Sequence, residues 1–115
     1  MDTLTMEEMQ KIQRDLREKY KSLWGDLTEK DGRSVLLWTF IELGEVADII
    51  KKDGDEAILH DPRVRSHFIE ELSDVVMFLN DAMICYGITP EEMTKIYREK
   101  AAYNLVRWEN QLKNE

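Results

Sequence analysis

The sequence predicts an all-α fold, most simply a four-helix bundle, and three observations support this prediction. Apolar residues recur at helical spacing in four separate segments. Helix start and stop signals lie between these segments, and the clearest is Thr89-Pro90-Glu91-Glu92, which combines an N-cap, a first-turn proline and acids near the positive end of the helix dipole. No segment shows the alternating pattern of a strand. A chain of 115 residues is expected to form a single domain, residues 1–115.

The first two predicted helices cover residues 5–23 and 33–52. Thr5 and Glu8 form a capping-box pattern at the start of the first helix. The second helix is apolar around most of its circumference, so we expect it to be central and buried against several neighbours. Gly54 is expected to cap its C-terminal end. A polar loop is expected between the two helices.

The remaining two helices follow a charged connection, residues 53–63, which has room for a short helical turn. The third helix is predicted from about Val64 until Gly87, which supplies the stop signal. The fourth begins at the Thr89 N-cap and continues to about Gln111. Four helices of this kind fit a four-helix bundle.

The composition excludes several classes of partner. The chain has 16 basic and 24 acidic residues, a formal charge of −8, and a diffuse negative field repels nucleic acid and anionic membranes. The longest apolar stretch, residues 35–41, is too short to cross a bilayer, and the N-terminus lacks the blocks of a signal peptide. A single cysteine, Cys85, excludes an internal disulfide and is expected in the core. We therefore expect a cytoplasmic protein, and a bound cation if its ligand is an anion.

Paired acids lie inside the two most hydrophobic helices. Glu42 and Glu45 are three residues apart in the second helix, and Glu71 and Asp74 are three apart in the third, so each pair shares a helix face. Converging carboxylates repel one another and need a counter-ion when partly buried. Oxygen ligands alone favour Mg²⁺, with Mn²⁺ as a possible substitute. The alternative is an ordinary solvated stripe of acids.

A basic and amide cluster is predicted on the fourth helix. The stripe that begins with Met93 and Ile96 is expected to face inward. Its next positions are Lys100, Asn104 and Arg107, which are side chains that bind phosphate, sugar or base. The alternative is a helix end that emerges into solvent, with basic residues near the negative end of its dipole.

Three motifs in this order resemble a known family. They are Glu42-Leu43-Gly44-Glu45, then Glu71-Leu72-Ser73-Asp74, then Lys100-Ala101-Ala102-Tyr103-Asn104-Leu105-Val106-Arg107. Together they are similar to the MazG-like family of the all-α nucleoside triphosphate pyrophosphohydrolase superfamily. The resemblance covers about residues 33–108. It implies Mg²⁺-dependent hydrolysis of a nucleoside triphosphate to the monophosphate and pyrophosphate, by homodimers or homotetramers whose sites lie between subunits.

The resemblance also implies roles for individual residues. The metal ligands would be Glu42, Glu45, Glu71 and Asp74, with Glu45 as our choice of general base. The residues that contact phosphate or sugar would be Lys100, Asn104 and Arg107. Trp38, one turn before Glu42, either stacks on a base or packs in the core.

Other functions stay open from the sequence. A phosphoribosyl-ATP or dUTP pyrophosphohydrolase of the same superfamily would carry the same acids. A non-catalytic helical dimerisation or regulatory module would place them on its surface. The position of the acids on apolar helices argues against the second possibility.

Overall fold

A computed structural model describes residues 2–114, and these residues form helices and connecting turns without a strand. The all-α prediction is therefore confirmed. The helices are α1 (Met6–Lys19), α2 (Lys21–Trp24), α3 (Glu29–His60), α4 (Pro62–Cys85), α5 (Pro90–Val106) and α6 (Glu109–Lys113).

The start of α1 is the capping box expected from the sequence. The Glu8 backbone N–H donates to the Thr5 hydroxyl at 3.1 Å, and the Thr5 backbone N–H donates to Glu8 Oε1 at 2.9 Å. The helix ends earlier than predicted because Tyr20 leaves helical geometry, and its ring packs on Trp24 with 4.9 Å between ring centroids. The four-residue α2 follows, and Gly25 ends it at a φ of 73°.

Helix α3 starts four residues before the predicted position. The Asp31 carboxylate accepts hydrogen bonds from the Thr28 backbone N–H at 3.4 Å and from the Thr28 hydroxyl at 3.2 Å, which fixes the first turn. The predicted loop from Gly25 to Gly32 is therefore correct as far as Thr28 and wrong beyond it, where the chain is helical. Gly32 is buried against the Tyr86 ring, and an added Cβ would lie 2.5 Å from that ring.

The connection between α3 and α4 contains the helical turn that the sequence allowed. Helical geometry breaks at Gly54, with a φ of 83°, and then resumes as far as His60. Asp61 caps α4, since its carboxylate accepts from the Arg63 backbone N–H at 2.9 Å, and Pro62 occupies the first turn. Helices α3 and α4 are thus consecutive and pack along one another, while α1 packs against α4.

The core lies between α3 and α4. Val35, Ala82 and Cys85 form a buried cluster, and Leu27 and Phe78 pack against it. The expectation that Cys85 is a core residue is confirmed.

Large apolar surfaces stay exposed on the single chain. The prediction that the second helix is buried on most sides is wrong here, since Phe40 of α3 is 72% exposed and Leu37 and Ile41 are also exposed. Helix α5 has no buried residue, and Ile96 on its predicted inward stripe is exposed. The apolar pattern predicts burial, but among residues 2–114 α4 is the main helix that packs along α3.

Membrane-spanning potential is limited to one helix pair. Within residues 2–114, no helix taken alone has both the length and the apolar composition needed to cross a membrane. The bent pair Pro62–Cys85 and Pro90–Lys113, which meet at 111°, satisfies those two criteria when combined.

Candidate functional site

Three of the predicted metal ligands meet where α3 and α4 pack together. Glu42 of α3 and Glu71 and Asp74 of α4 each place one carboxylate oxygen within 4.8 Å of the others, and all three residues are partly buried. On α4 the three-residue spacing puts Glu71 and Asp74 on one face, and the packing of the two helices brings Glu42 to them. Three oxygens at this separation can hold one small, hard cation. We call these three residues the acidic cluster.

The electrostatics of the acidic cluster favour a positive partner. Burial raises the pKa of Glu42, and the negative charges of Asp74, Glu71 and Glu45 raise it further. Among the described residues, no lysine or arginine forms an ion pair with the cluster. The closest basic group is His67, whose Nε2 lies 4.0 Å from Glu71 Oε1. A bound cation would relieve this repulsion directly.

Glu45 lies beside the acidic cluster and not within it. Its side chain is exposed one turn beyond Glu42 on α3, and its charge contributes to the raised pKa of Glu42. The structure therefore brings together three of the four predicted ligands and leaves Glu45 open to solvent.

Trp38 lines a cavity that adjoins the acidic cluster. The cavity has a volume of about 500 Å³ and reaches Asp74. Trp38 is 46% exposed, and its ring centroid lies 6.4 Å from that of Phe78, with the rings tilted by 55°. Trp38 is therefore a wall of the cavity and not an enclosed core residue. Its position is compatible with the base-stacking role.

A buried polar pair lies in the same cavity, and the sequence reasoning did not assign it a function. Gln13 Nε2 of α1 donates to Asp81 Oδ1 of α4 at 2.8 Å, and both residues are buried. Burial raises the pKa of Asp81, while the Gln13 hydrogen bond and the positive charge of Arg17 act in the opposite direction. The available signal was that Gln13 lies four residues after Met9, on the apolar stripe of α1.

The predicted substrate-binding residues of α5 stand apart from the acidic cluster. Lys100, Asn104 and Arg107 are all exposed. The Arg107 guanidinium lies 4.4 Å from the Trp108 ring centroid, and Lys100 Nζ lies 5.2 Å from that of Tyr103. Among residues 2–114, no hydrogen bond or ion pair joins these three side chains to the acidic cluster.

Comparisons with known proteins give no family for this chain. No family model, no curated protein and no solved structure matches it. Function is therefore inferred from the residues themselves: three convergent carboxylates, an adjoining cavity with aromatic and polar walls, and an exposed basic cluster.

Proposed function

We propose that this protein is a Mg²⁺-dependent nucleoside triphosphate pyrophosphohydrolase of the MazG-like family. The observation that supports the proposal is the convergence of Glu42, Glu71 and Asp74, which come from the two acidic motifs that resemble that family. The donor set consists of carboxylate oxygens, which fit Mg²⁺ first and Mn²⁺ as a substitute. Glu45 lies one turn beyond Glu42 and its negative charge acts on that carboxyl, which supports a role for Glu45 as fourth ligand or general base.

The proposed reaction hydrolyses the bond between the α- and β-phosphates. A bound Mg²⁺ would neutralise negative charge on the phosphoryl oxygens. Glu42, Glu71 and Asp74 would hold the cation, and the exposed Glu45 would accept the proton of the attacking water. The water oxygen forms a bond to phosphorus, the bridging P–O bond breaks, and the products are the monophosphate and pyrophosphate. This arrangement also explains how a chain with a charge of −8 can bind a polyanion.

The direct test is a panel of nucleoside triphosphates and deoxynucleoside triphosphates incubated with the purified protein. We expect monophosphate and pyrophosphate in the presence of Mg²⁺, no product after chelation with EDTA, and partial activity with Mn²⁺. Release of the nucleoside diphosphate and inorganic phosphate would contradict the proposal, and so would turnover that persists in EDTA.

Two other functions are separated by the same panel. A dUTP or phosphoribosyl-ATP pyrophosphohydrolase would use the same acids, so both compounds belong in the panel. A non-catalytic helical dimerisation or regulatory module is favoured by the exposed apolar surface of α3. That module would hydrolyse no member of the panel.

We further propose that the protein assembles as a homodimer or homotetramer, in which a partner completes the four-helix bundle. The support is the exposed apolar surface of the single chain. It includes Phe40 on α3, at 72% exposure, and Leu105 on α5, at 83%. Monomeric proteins rarely expose large contiguous apolar patches, and a symmetric interface is the usual way to cover them.

Light scattering at micromolar concentration should give a mass at least twice the chain mass of 13.6 kDa. Phe40→Arg should raise the dissociation constant of the assembly roughly 30-fold, because loss of a buried aromatic anchor typically costs about 2 kcal/mol. Ser22→Arg is the matched control, since it adds the same charge at an exposed polar position on α2 and should leave the mass unchanged. A stable monomer of the parent protein would show that the apolar surface is not an interface between copies.

A further inference from the structure

The cavity beside the acidic cluster has the properties of a small-molecule site. Its volume of about 500 Å³ falls in the range of ligand pockets, roughly 300–1,000 Å³. Trp38, Met77 and Phe78 supply apolar and aromatic walls, and Asp81 supplies a buried polar group. Asp74 lines the cavity and also belongs to the acidic cluster, so a ligand in the cavity is adjacent to the proposed cation.

Asp81 offers the cavity a hydrogen-bond acceptor that the protein itself does not use. Asp81 is only 5% exposed, and its Oδ1 accepts from Gln13 Nε2 at 2.8 Å. Its Oδ2 has no hydrogen-bond partner among residues 2–114. The Gln13 amide already donates to this carboxyl, and an ionised carboxylate has acceptors only. A ligand that enters the cavity therefore satisfies Oδ2 best with an N–H donor.

The placement of Asp81 relative to Asp74 suits a nucleoside. The two residues are two turns apart on α4, which is about 10 Å along the helix axis. A ligand that spans them would have one polar end at the cation and the other at Asp81, with a flat apolar part against the Trp38 ring. In a nucleotide these three parts are the phosphates, the amino-bearing edge of the base, and the base ring.

We propose that this cavity binds the nucleobase of the substrate, and that Asp81 selects bases with an amino group at the position of cytosine N4 or adenine N6. The proposal rests on the proposed function, since it gives that function its substrate class. An aspartate accepts a hydrogen bond from cytosine N4. Uracil, thymine and hypoxanthine carry a carbonyl oxygen at the equivalent position, and in a base seated with that position against Asp81 this oxygen would face the carboxylate as a second acceptor. Asp81 is thus a specificity-determining residue.

The test is equilibrium binding of four nucleoside monophosphates by calorimetry in the presence of Mg²⁺. Cytidine monophosphate should bind the parent protein at least about 10-fold more tightly than uridine monophosphate, and adenosine monophosphate more tightly than inosine monophosphate. Asp81→Asn should abolish or reverse both preferences, because asparagine keeps an acceptor for Gln13 and presents an amide donor to the base carbonyl. Asp15→Asn makes the same chemical change at an exposed position on α1 and should keep both preferences.

A second variant separates base selection from general damage to the cavity. Trp38→Leu should weaken the binding of cytidine monophosphate and uridine monophosphate by a similar factor. The ratio of their affinities should not change, because ring stacking does not depend on the amino group. Monophosphates are not substrates of the proposed reaction, so the preference is measured whether or not the protein hydrolyses triphosphates. A binding preference without triphosphate hydrolysis would overturn only the proposed function. Equal binding of each pair, no measurable binding, or a preference retained in Asp81→Asn would overturn the assignment of the cavity.

Discussion

We expect kcat/KM for Mg²⁺-dependent hydrolysis to fall by at least about 100-fold in each of three variants, Asp74→Asn, Glu42→Gln and Glu71→Gln. This loss corresponds to about 2.7 kcal/mol of transition-state stabilisation. Each change replaces a charged oxygen ligand with a neutral amide of the same shape, at a position where three carboxylates lie within 4.8 Å of one another. The measurement is steady-state kinetics on the best triphosphate of the panel. The loss should be partly overcome by raising the Mg²⁺ concentration if weakened cation binding is its cause.

The same variants should lower activity but should keep or raise the stability of the metal-free fold. The pKa of Glu42 is raised in the folded protein, so the folded state binds its proton more readily than the unfolded state does. The stability of the metal-free parent should therefore rise as the pH falls from neutral towards the ordinary glutamate value of 4.5. Glu42→Gln should remove that part of the pH dependence and should melt at or above the parent temperature at neutral pH. Thermal melts with EDTA across this pH range provide the measurement.

Glu56→Gln is the matched control for the acidic cluster. Glu56 lies on the segment of α3 after Gly54, is exposed, and pairs with His60 across one turn at 3.4 Å. This variant should keep full activity and the parent response to Mg²⁺, since a surface pair of this kind contributes little. Full activity in any two of the three cluster variants would show that these carboxylates do not hold the cation.

The parts of this structure that the sequence predicts well are those set by local interactions. The Thr5 capping box and the Thr89 N-cap depend on residues within one turn of each other. The meeting of Glu42 with Glu71 and Asp74 is also close to local, because it needs only two apolar helices to pack along each other. The i, i+3 spacing then determines which acids share a face.

The parts that the sequence predicts poorly depend on what covers an apolar face. The composition of α3 shows that Phe40 avoids water, but not whether a helix of the same chain or of a partner covers it. The Gln13–Asp81 pair was missed for a related reason, since a polar residue on an apolar stripe gains meaning only when its partner from another helix is known. The early start of α3 follows from the hydrogen bonds between the N-cap Thr28 and Asp31, inside a segment that is otherwise typical of a loop.

Arg107→Ala should lower kcat/KM roughly 10- to 150-fold, because a charge-assisted hydrogen bond to phosphate contributes about 1.5–3 kcal/mol. Lys100→Ala should behave similarly, and Asn104→Ala should change the preference among sugars or bases more than the rate. The melting temperature should change little, since these side chains are exposed and such substitutions usually stay within about 0.5 kcal/mol. Lys95→Ala, an exposed change on the same helix, is the control and should retain activity. If Lys100→Ala and Arg107→Ala both stay within about threefold of the parent, the basic cluster is not a substrate site.

We expect a recovery of hydrolytic activity when two impaired variants are mixed. Among residues 2–114 of one chain, Arg107 makes no hydrogen bond or ion pair to the acidic cluster. We therefore expect Arg107 to act at the site of a partner copy. In a mixed dimer of Asp74→Asn and Arg107→Ala subunits, one site then lacks both groups and the other keeps both intact. Random exchange of subunits should restore about a quarter of the parent activity, which is more than either variant has alone. Recovery measured after co-refolding would support a shared site, whereas activity that stays at the mean of the two variants would place Arg107 at the site of its own subunit or outside the site altogether.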